Sequence, residues 1–110
     1  MNFNINAADS MSAYLKSIAN HNRLKVLQIL SRGEVSVSDL NKQIDDLSQS
    51  ALSQHLAVMR REHVVHTRRA SQTIYYSLNE ALPTRHLMEV LKDLVTAESE
   101  SSHGSHQMTA

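Results

Sequence analysis

The 110-residue sequence contains no cysteine and no tryptophan, and it has only two glycines, one proline and one phenylalanine. The absence of cysteine excludes disulfides, thiol catalysis, thiolate metal sites and cysteine-based redox sensing. The scarcity of glycine and proline argues against an all-β protein with many tight turns. The sequence also has no apolar run long enough to cross a membrane and no secretory signal at its start, so we expect a cytoplasmic location.

The length of the chain fits one domain with one core, and the 41% of apolar residues suffices for it. Because aromatic residues are few, this core must consist mostly of Leu, Val, Ile and Met. We expect a flexible N-terminus over residues 1–8, a folded domain over 9–97 and a disordered polar tail over 98–110.

The formal net charge is zero, but the charges are unevenly distributed along the chain. Residues 48–78 carry four arginines against one glutamate, a balance of +3, whereas residues 79–110 have a balance of −3. A local basic segment can bind phosphates even in a neutral protein, so the middle of the chain is the candidate for nucleic-acid binding.

The spacing of apolar residues predicts helices over 9–19 and 21–32, a short strand at 34–37, and helices over 39–44 and 49–62. Two β-prone runs, 65–68 and 74–78, follow as a hairpin, and a last helix completes the chain. We expect Ser38, Ser48 and Asn79 to cap the last three helices. The hairpin connection lacks the Gly or Asn of a tight turn, which favours a longer, mobile loop.

This order predicts a mainly α fold with a small β-hairpin, a dimeric winged helix-turn-helix. The helix over 49–62 would place its polar N-terminal side chains in the major groove, while arginines and the hairpin hold the backbone. A solvated polar face without DNA binding is the alternative. A protonated His55 could add a phosphate contact at low pH. The candidate DNA-binding residues are Ser48, Gln49, Ser50, Ser53, Gln54, His55, Arg60, Arg61, Arg68, Arg69 and Gln72.

A second set of residues is too apolar for the surface of a small monomer and predicts a homodimer interface on the first and last helices. In a two-fold dimer, two recognition helices could enter successive major grooves about 34 Å apart. The candidate interface residues are Met11, Leu15, Ile18, Leu87, Val90, Leu91 and Leu94.

Three segments resemble the ArsR family of small bacterial transcriptional repressors, nearest to its HlyU-like, thiol-sensing branch. They are LKSIANHNRLKVLQIL, LSQSALSQHLAVMRREHVV and TRRASQTIYYSL, and the resemblance extends over about residues 10–96. It implies a homodimer that binds an inverted-repeat operator and represses transcription or displaces another regulator. It also implies that the first and last helices form the dimer.

The sequence departs from this family at the sensing positions. Gln28 and Thr96 stand where the thiol-sensing branch has cysteines, so that switch is absent. Of the four positions that match a metal site on the last helix, Thr84 and Ala97 are unsuited as ligands, and a zinc site needs about four. His63 stands where the family usually has a glycine.

We therefore predict a DNA-binding regulator with double-stranded DNA and itself as partners, and without metal, cofactor or catalytic residues. No paired carboxylates, activated nucleophile or phosphate loop occurs at a useful spacing. Two alternatives stay open, namely a repressor gated by a metal or small ligand, and a winged-helix module that binds a protein.

Overall fold

The structure, a computed structural model, describes residues 7–94 of the chain. The predicted order of elements is confirmed, with a three-stranded antiparallel sheet beside the helices. The elements are α1 (Ala7–Ile18), α2 (His21–Leu30), β1 (Val35–Ser36), α3 (Val37–Gln43), α4 (Gln49–Arg61), β2 (Val65–Ala70), β3 (Thr73–Leu78) and α5, described over 84–94.

Helix α2 forms the centre of the core. The Asn20 side chain accepts hydrogen bonds from the backbone N–H groups of Asn22 and Arg23, which satisfies two donors at the start of the helix. Val26, Leu27 and Leu30 are completely buried on one face of the helix, which contacts α1, α4 and β3. Gly33 follows with a φ of 143°, a backbone conformation that favours glycine after a helix.

The helix pair α3–α4 begins earlier than the sequence predicts. Ser36, and not Ser38, caps α3, and its hydroxyl accepts from the N–H of Asp39 at 3.1 Å. The predicted cap was wrong because β1 is only two residues long, which leaves Ser36 both as the last strand residue and as the first residue before the helix. Leu40 and Ile44 then anchor this helix in the core.

The sheet has the strand order β1-β3-β2, and the β2–β3 hairpin is confirmed. Val65 pairs with Leu78 and Thr67 pairs with Tyr76, which places Val65, Tyr76 and Leu78 together on the face that packs on the core. Tyr75 is turned to the other face and stays half-buried. The alternation along β3 therefore separates one core tyrosine from one surface tyrosine, as the sequence predicts.

The hairpin turn is tighter than predicted. Pairing continues to Ala70 and Thr73, so only Ser71 and Gln72 connect the strands, and the expected longer loop was wrong. Ser71 has a φ of 59°, the left-handed conformation that glycine or asparagine usually supplies. Serine adopts it here at a cost of about 1 kcal/mol, which the continued strand pairing offsets.

The last helix begins at residue 84 and not beside Asn79. Pro83 supplies the first helical carbonyl, which accepts from the N–H of Leu87 at 2.9 Å. Asn79 instead forms a turn, since its side-chain oxygen accepts a hydrogen bond from the backbone N–H of Ala81 at 3.0 Å. The predicted cap was therefore wrong, because proline fits the boundary of a helix and the chain turns before it.

The described residues bear only on the start of the folded domain predicted over 9–97, because residues 95–97 lie outside them. Helix α1 already begins at Ala7, and Asp9 lies in its first turn, where a carboxylate favours the helix dipole. The predicted tail over 98–110 lies outside the described residues. None of the helices within residues 7–94 is both long and apolar enough to cross a bilayer.

Candidate nucleic-acid interface

Helix α4 is anchored by one apolar face. Leu52, Leu56 and Met59 are at most 2% exposed and contact the core formed by α2 and the sheet. Ser48 caps the helix as predicted, because its hydroxyl accepts from the N–H of Ala51 at 3.1 Å. The anchoring fixes which side chains of α4 point away from the protein.

The outer face of α4 is a stripe of exposed residues, Ser50, Gln54, Ala57 and Arg61, at spacings of four, three and four residues. Three of them were predicted site residues, and Ala57 was not. The helical spacing could have identified it, and its methyl group can contact the methyl group of thymine. The predicted residues Ser48, Gln49 and Ser53 are also exposed, beside this stripe.

The two arginines at the end of α4 are exposed, and neither forms an ion pair within the part of the chain that the structure describes. The sequence had left open that Arg60 or Arg61 pairs with an acidic neighbour. Arg61 belongs to the outer stripe, whereas Arg60 is turned towards β2, where it borders a groove with Thr67. Both guanidinium groups can therefore contact phosphates.

His55 is placed differently from the other predicted site residues. It is half-buried, and its Nδ1 accepts a hydrogen bond from Nε of Arg23 at 3.2 Å. Burial, and then the Arg23 charge, lower the pKa of His55 below its usual range. The predicted low-pH phosphate contact is thus disfavoured, because protonation of Nδ1 breaks this bond and brings two cations together.

Arg23 is a residue that sequence reasoning missed. Besides His55, its guanidinium donates to the backbone carbonyls of Lys16 and Ser17, at 3.4 and 3.3 Å, in the last turn of α1. The Arg23 side chain therefore connects the end of α1 to α4, the predicted recognition helix. No local pattern signals this role, because its partner on α4 lies 32 residues away.

The β2–β3 hairpin is the wing of this fold, and its two predicted site arginines, Arg68 and Arg69, differ in their contacts. Arg68 forms a two-pronged ion pair with Glu34, at 2.6 and 3.1 Å, and its guanidinium lies 4.4 Å from the centre of the Tyr75 ring. The hydrogen bond from Arg68 lowers the pKa of the Glu34 carboxyl. Arg68 is therefore held beside β1 by Glu34, and its predicted contact with DNA stays a prediction.

Arg69 remains at the tip of the wing. Its Nε donates to the carbonyl of Ser71 at 3.2 Å, and its side chain is exposed, as is that of Gln72 in the turn. The tip thus presents one arginine and one amide to solvent. Of the two predicted wing arginines, Arg69 is the one without a carboxylate partner within residues 7–94.

The predicted dimer residues fall into three groups. Met11, Leu15, Val90 and Leu94 are 49 to 59% exposed, an unusual exposure for large apolar side chains. Leu87 and Leu91 are half-buried and pack against the core. Ile18 differs from the prediction, since it is 4% exposed: the end of α1 turns this side chain into the core and leaves little surface for a partner.

Helices α1 and α5 are joined within the chain. The hydroxyl groups of Tyr14 and Thr84 lie 2.8 Å apart, and Thr84 is completely buried. Gln28, on α2, borders an apolar groove with Leu91 and Leu94 of α5. Thr96, the second position that matches a sensing cysteine, lies outside the described residues.

Within residues 7–94, no three histidine, aspartate or glutamate side chains cluster closely enough to hold a metal ion.

An anchored helix with an exposed polar stripe, preceded by a short helix and followed by a basic hairpin, defines the winged helix-turn-helix class of DNA-binding proteins. Residues 20–67 match the family described as bacterial regulatory protein, arsR family.

Individual relatives agree with this match. The chain is 49% identical to the transcriptional activator HlyU of Vibrio cholerae over 65 residues, which is 59% of each chain. It is 36% identical to the biofilm growth-associated repressor of Agrobacterium fabrum over 94 residues, 86% of this chain and 79% of that relative. The solved structure of HlyU from Vibrio cholerae N16961 superposes with a TM-score of 0.74 at 40% identity, over 84% of this chain and 97% of that one.

The chain belongs to the arsR family of bacterial regulatory proteins, and its relatives are transcription regulators and not enzymes. Its match to HlyU spans only about three fifths of that curated relative.

Proposed function

We propose that this chain represses transcription by binding an inverted-repeat DNA site as a homodimer in the bacterial cytoplasm. The observation that carries the proposal is the outer stripe of α4. Its Ser50, Gln54 and Arg61 side chains are exposed while the opposite face of the helix is locked into the core. A helix held in this way can enter a major groove without rearranging the protein.

The DNA contacts divide into two kinds. Ser50, Ser53 and Gln54 contact base edges, and a glutamine amide can pair with adenine through two hydrogen bonds. Arg60, Arg61 and Arg69 bind the phosphate backbone, with support from Ser48 and Gln49 at the start of the helix. His55 contributes by fixing the helix through Arg23, and Arg68 contributes by fixing the wing through Glu34.

The dimer is proposed from the exposed apolar residues on α1 and α5, Met11, Leu15, Val90 and Leu94. Burial of these side chains against a second copy would stabilise a two-fold pair, at about 25 cal/mol per Å² of apolar surface. Two copies of α4 would then contact two half-sites of the same DNA. An inverted repeat follows from this symmetry.

The repression is proposed to be independent of thiol oxidation, since the sequence has no cysteine. Control would then come from the amount of protein or from competition with another DNA-binding protein for the same site. Treatment with a disulfide-forming oxidant should leave DNA affinity unchanged.

A gel shift with DNA from upstream of the chain's own gene, compared with a mixed-sequence duplex, tests the proposal. Gln54→Ala should weaken binding to the upstream site about 10-fold more than to mixed sequence, because two base contacts are lost. Gln43→Ala is the matched control, because it removes the same side chain from an exposed position on α3 that has none of the proposed DNA contacts. An unchanged ratio for Gln54→Ala would refute the base contact, and no shift of wild-type protein with any upstream fragment would refute the function.

A further inference from the structure

A polar groove lies between the end of α4 and the first residues of β2, beside the outer stripe. Arg60, His63, Val65, His66 and Thr67 line it. Of the residues that line the groove, Arg60 is the one to which a DNA contact was assigned above. The two histidines have no role in the fold or in the proposed function.

The groove has the chemistry of an anion site. The residues that line it carry a guanidinium, two imidazoles and a hydroxyl, all of which can donate hydrogen bonds, and none of them carries a carboxylate. Arg60, His63 and His66 are exposed, and their side chains have no hydrogen-bond or ion-pair partner within residues 7–94. An arginine cannot ligate a cation, so the groove fits a phosphate better than a metal ion.

His63 is at a position where the turn does not need an imidazole. Its φ of 61° is left-handed, and glycine would adopt this conformation without strain. Two backbone hydrogen bonds hold the turn, one from the N–H of His63 to the carbonyl of Arg60 and one from the Asn79 side chain to the carbonyl of His63. The imidazole of His63 is therefore available to bind a ligand in the groove.

The position of the groove suits the edge of a DNA major groove. Ten residues separate Ser50 from Arg60 on α4, which corresponds to about 15 Å along the helix axis. A major groove is about 12 Å wide, so a helix that enters it with its N-terminal half brings its other end to the bordering phosphates. The start of β2 flanks the same place.

We infer that Arg60, His63 and His66 together bind one phosphate of the DNA backbone at the edge of the major groove. The inference rests on the proposed function and adds two contact residues to it. Because a phosphate carries no sequence information, the contact contributes equally to specific and mixed-sequence DNA.

Fluorescence anisotropy with two labelled duplexes, one from the upstream site and one of mixed sequence, tests the inference over a series of salt concentrations. His63→Gly and His66→Ala should each weaken binding to both duplexes by about 3- to 10-fold, the effect of losing one solvent-exposed hydrogen bond. Arg60→Gln should do the same and lower the salt slope by about 0.9. Glycine adopts the left-handed φ of residue 63 without strain, so His63→Gly should not destabilise the fold. Weaker DNA binding by this variant therefore reports the loss of the imidazole.

The matched controls are His21→Ala and Arg32→Ala, which remove the same side-chain types from exposed positions away from α4 and β2. If His63→Gly and His66→Ala bind like these controls, the inference is overturned while the proposed function stands. If wild-type protein binds neither duplex, both fail.

Free phosphate is the other source of the same chemistry. Inorganic phosphate at constant ionic strength should move the imidazole NMR signals of His63 and His66 less than the duplex does. A larger effect of inorganic phosphate, with no effect of the duplex, would assign the groove to a free anion and overturn the DNA contact.

Discussion

At the scale of single residues, the candidate DNA interface depends on hydrogen-bond partners that hold its side chains in position. Arg23 holds the end of α1 and the His55 ring at the same time, and so it sets the position of α4 relative to α1. A hydrogen bond of this kind contributes about 0.5–1.5 kcal/mol to stability. Its loss should matter for both folding and DNA binding.

The lowered pKa of His55 gives this contact a pH dependence. Because the folded state holds the neutral ring, it binds fewer protons than the unfolded state, whose histidine has a pKa of 6.5. Stability is therefore complete above that value and falls as the pH decreases through the lower folded pKa. Urea unfolding should show this loss in wild type and a smaller one in His55→Gln, whose amide oxygen accepts from Arg23 without titrating. Equal losses in both proteins would contradict the assignment.

At the scale of the elements, the wing combines a fixed base with an exposed tip. Arg68 is engaged by Glu34 and stacks on Tyr75, so it ties the hairpin to the segment before β1. Arg69 and Gln72 lie beyond these contacts, towards the tip of the hairpin, and are exposed. The tight Ser71–Gln72 connection keeps the tip short and limits how far it can move.

The two neighbouring arginines form a natural comparison. Arg69→Ala should weaken both specific and mixed-sequence DNA and lower the salt slope by about 0.9, the value for one phosphate contact. Arg68→Ala should lower the slope less, since its charge is already balanced by Glu34. Anisotropy titrations in a salt series measure both. A steeper loss for Arg68 than for Arg69 would show that the ion pair opens on DNA.

The turn of the wing offers a test of stability alone. Ser71→Gly should raise the free energy of unfolding by about 0.5–1 kcal/mol, because glycine adopts the left-handed φ without the steric cost that serine has. Chemical denaturation measures the change. Gln72→Gly is the control, since no positive φ favours glycine there, and an equal gain from both would indicate that backbone strain is not the cause.

At the scale of the whole molecule, four of the five exposed large apolar side chains within residues 7–94 lie on α1 and α5, and the fifth, Ile74, lies on the hairpin, while the polar stripe lies on α4. This separation lets one surface bind a second copy and another bind DNA at the same time. The net charge of zero is also compatible with DNA binding, because residues 48–78, which include α4 and the hairpin, carry four arginines against one glutamate.

The proposed dimer predicts a change in mass. Leu15→Asp should shift the chain from dimer to monomer in sedimentation analysis, since it places a charge in an apolar interface, and it should weaken DNA binding with it. Ile74→Asp is the matched control, because Ile74 is 39% exposed but lies on the wing. A Leu15→Asp protein that stays dimeric would contradict this interface.

The sequence by itself determined the helices, the hairpin and the segment that holds the interface, because the spacing of apolar residues is a local property of the chain. It also excluded cysteine chemistry outright. The local ends of elements were less predictable, as the caps at Ser36 and Pro83 show, because neighbouring residues compete for them.

Only the tertiary structure decided which site residues are free to bind. Arg68 and Arg69 are equivalent in the sequence, but Glu34 lies 34 residues from Arg68 and engages only that one. In the same way, Arg23 engages His55, which the sequence assigned to the DNA contacts, and the core buries Ile18, which the sequence assigned to the dimer interface. These outcomes depend on contacts between distant parts of the chain, which no local pattern contains.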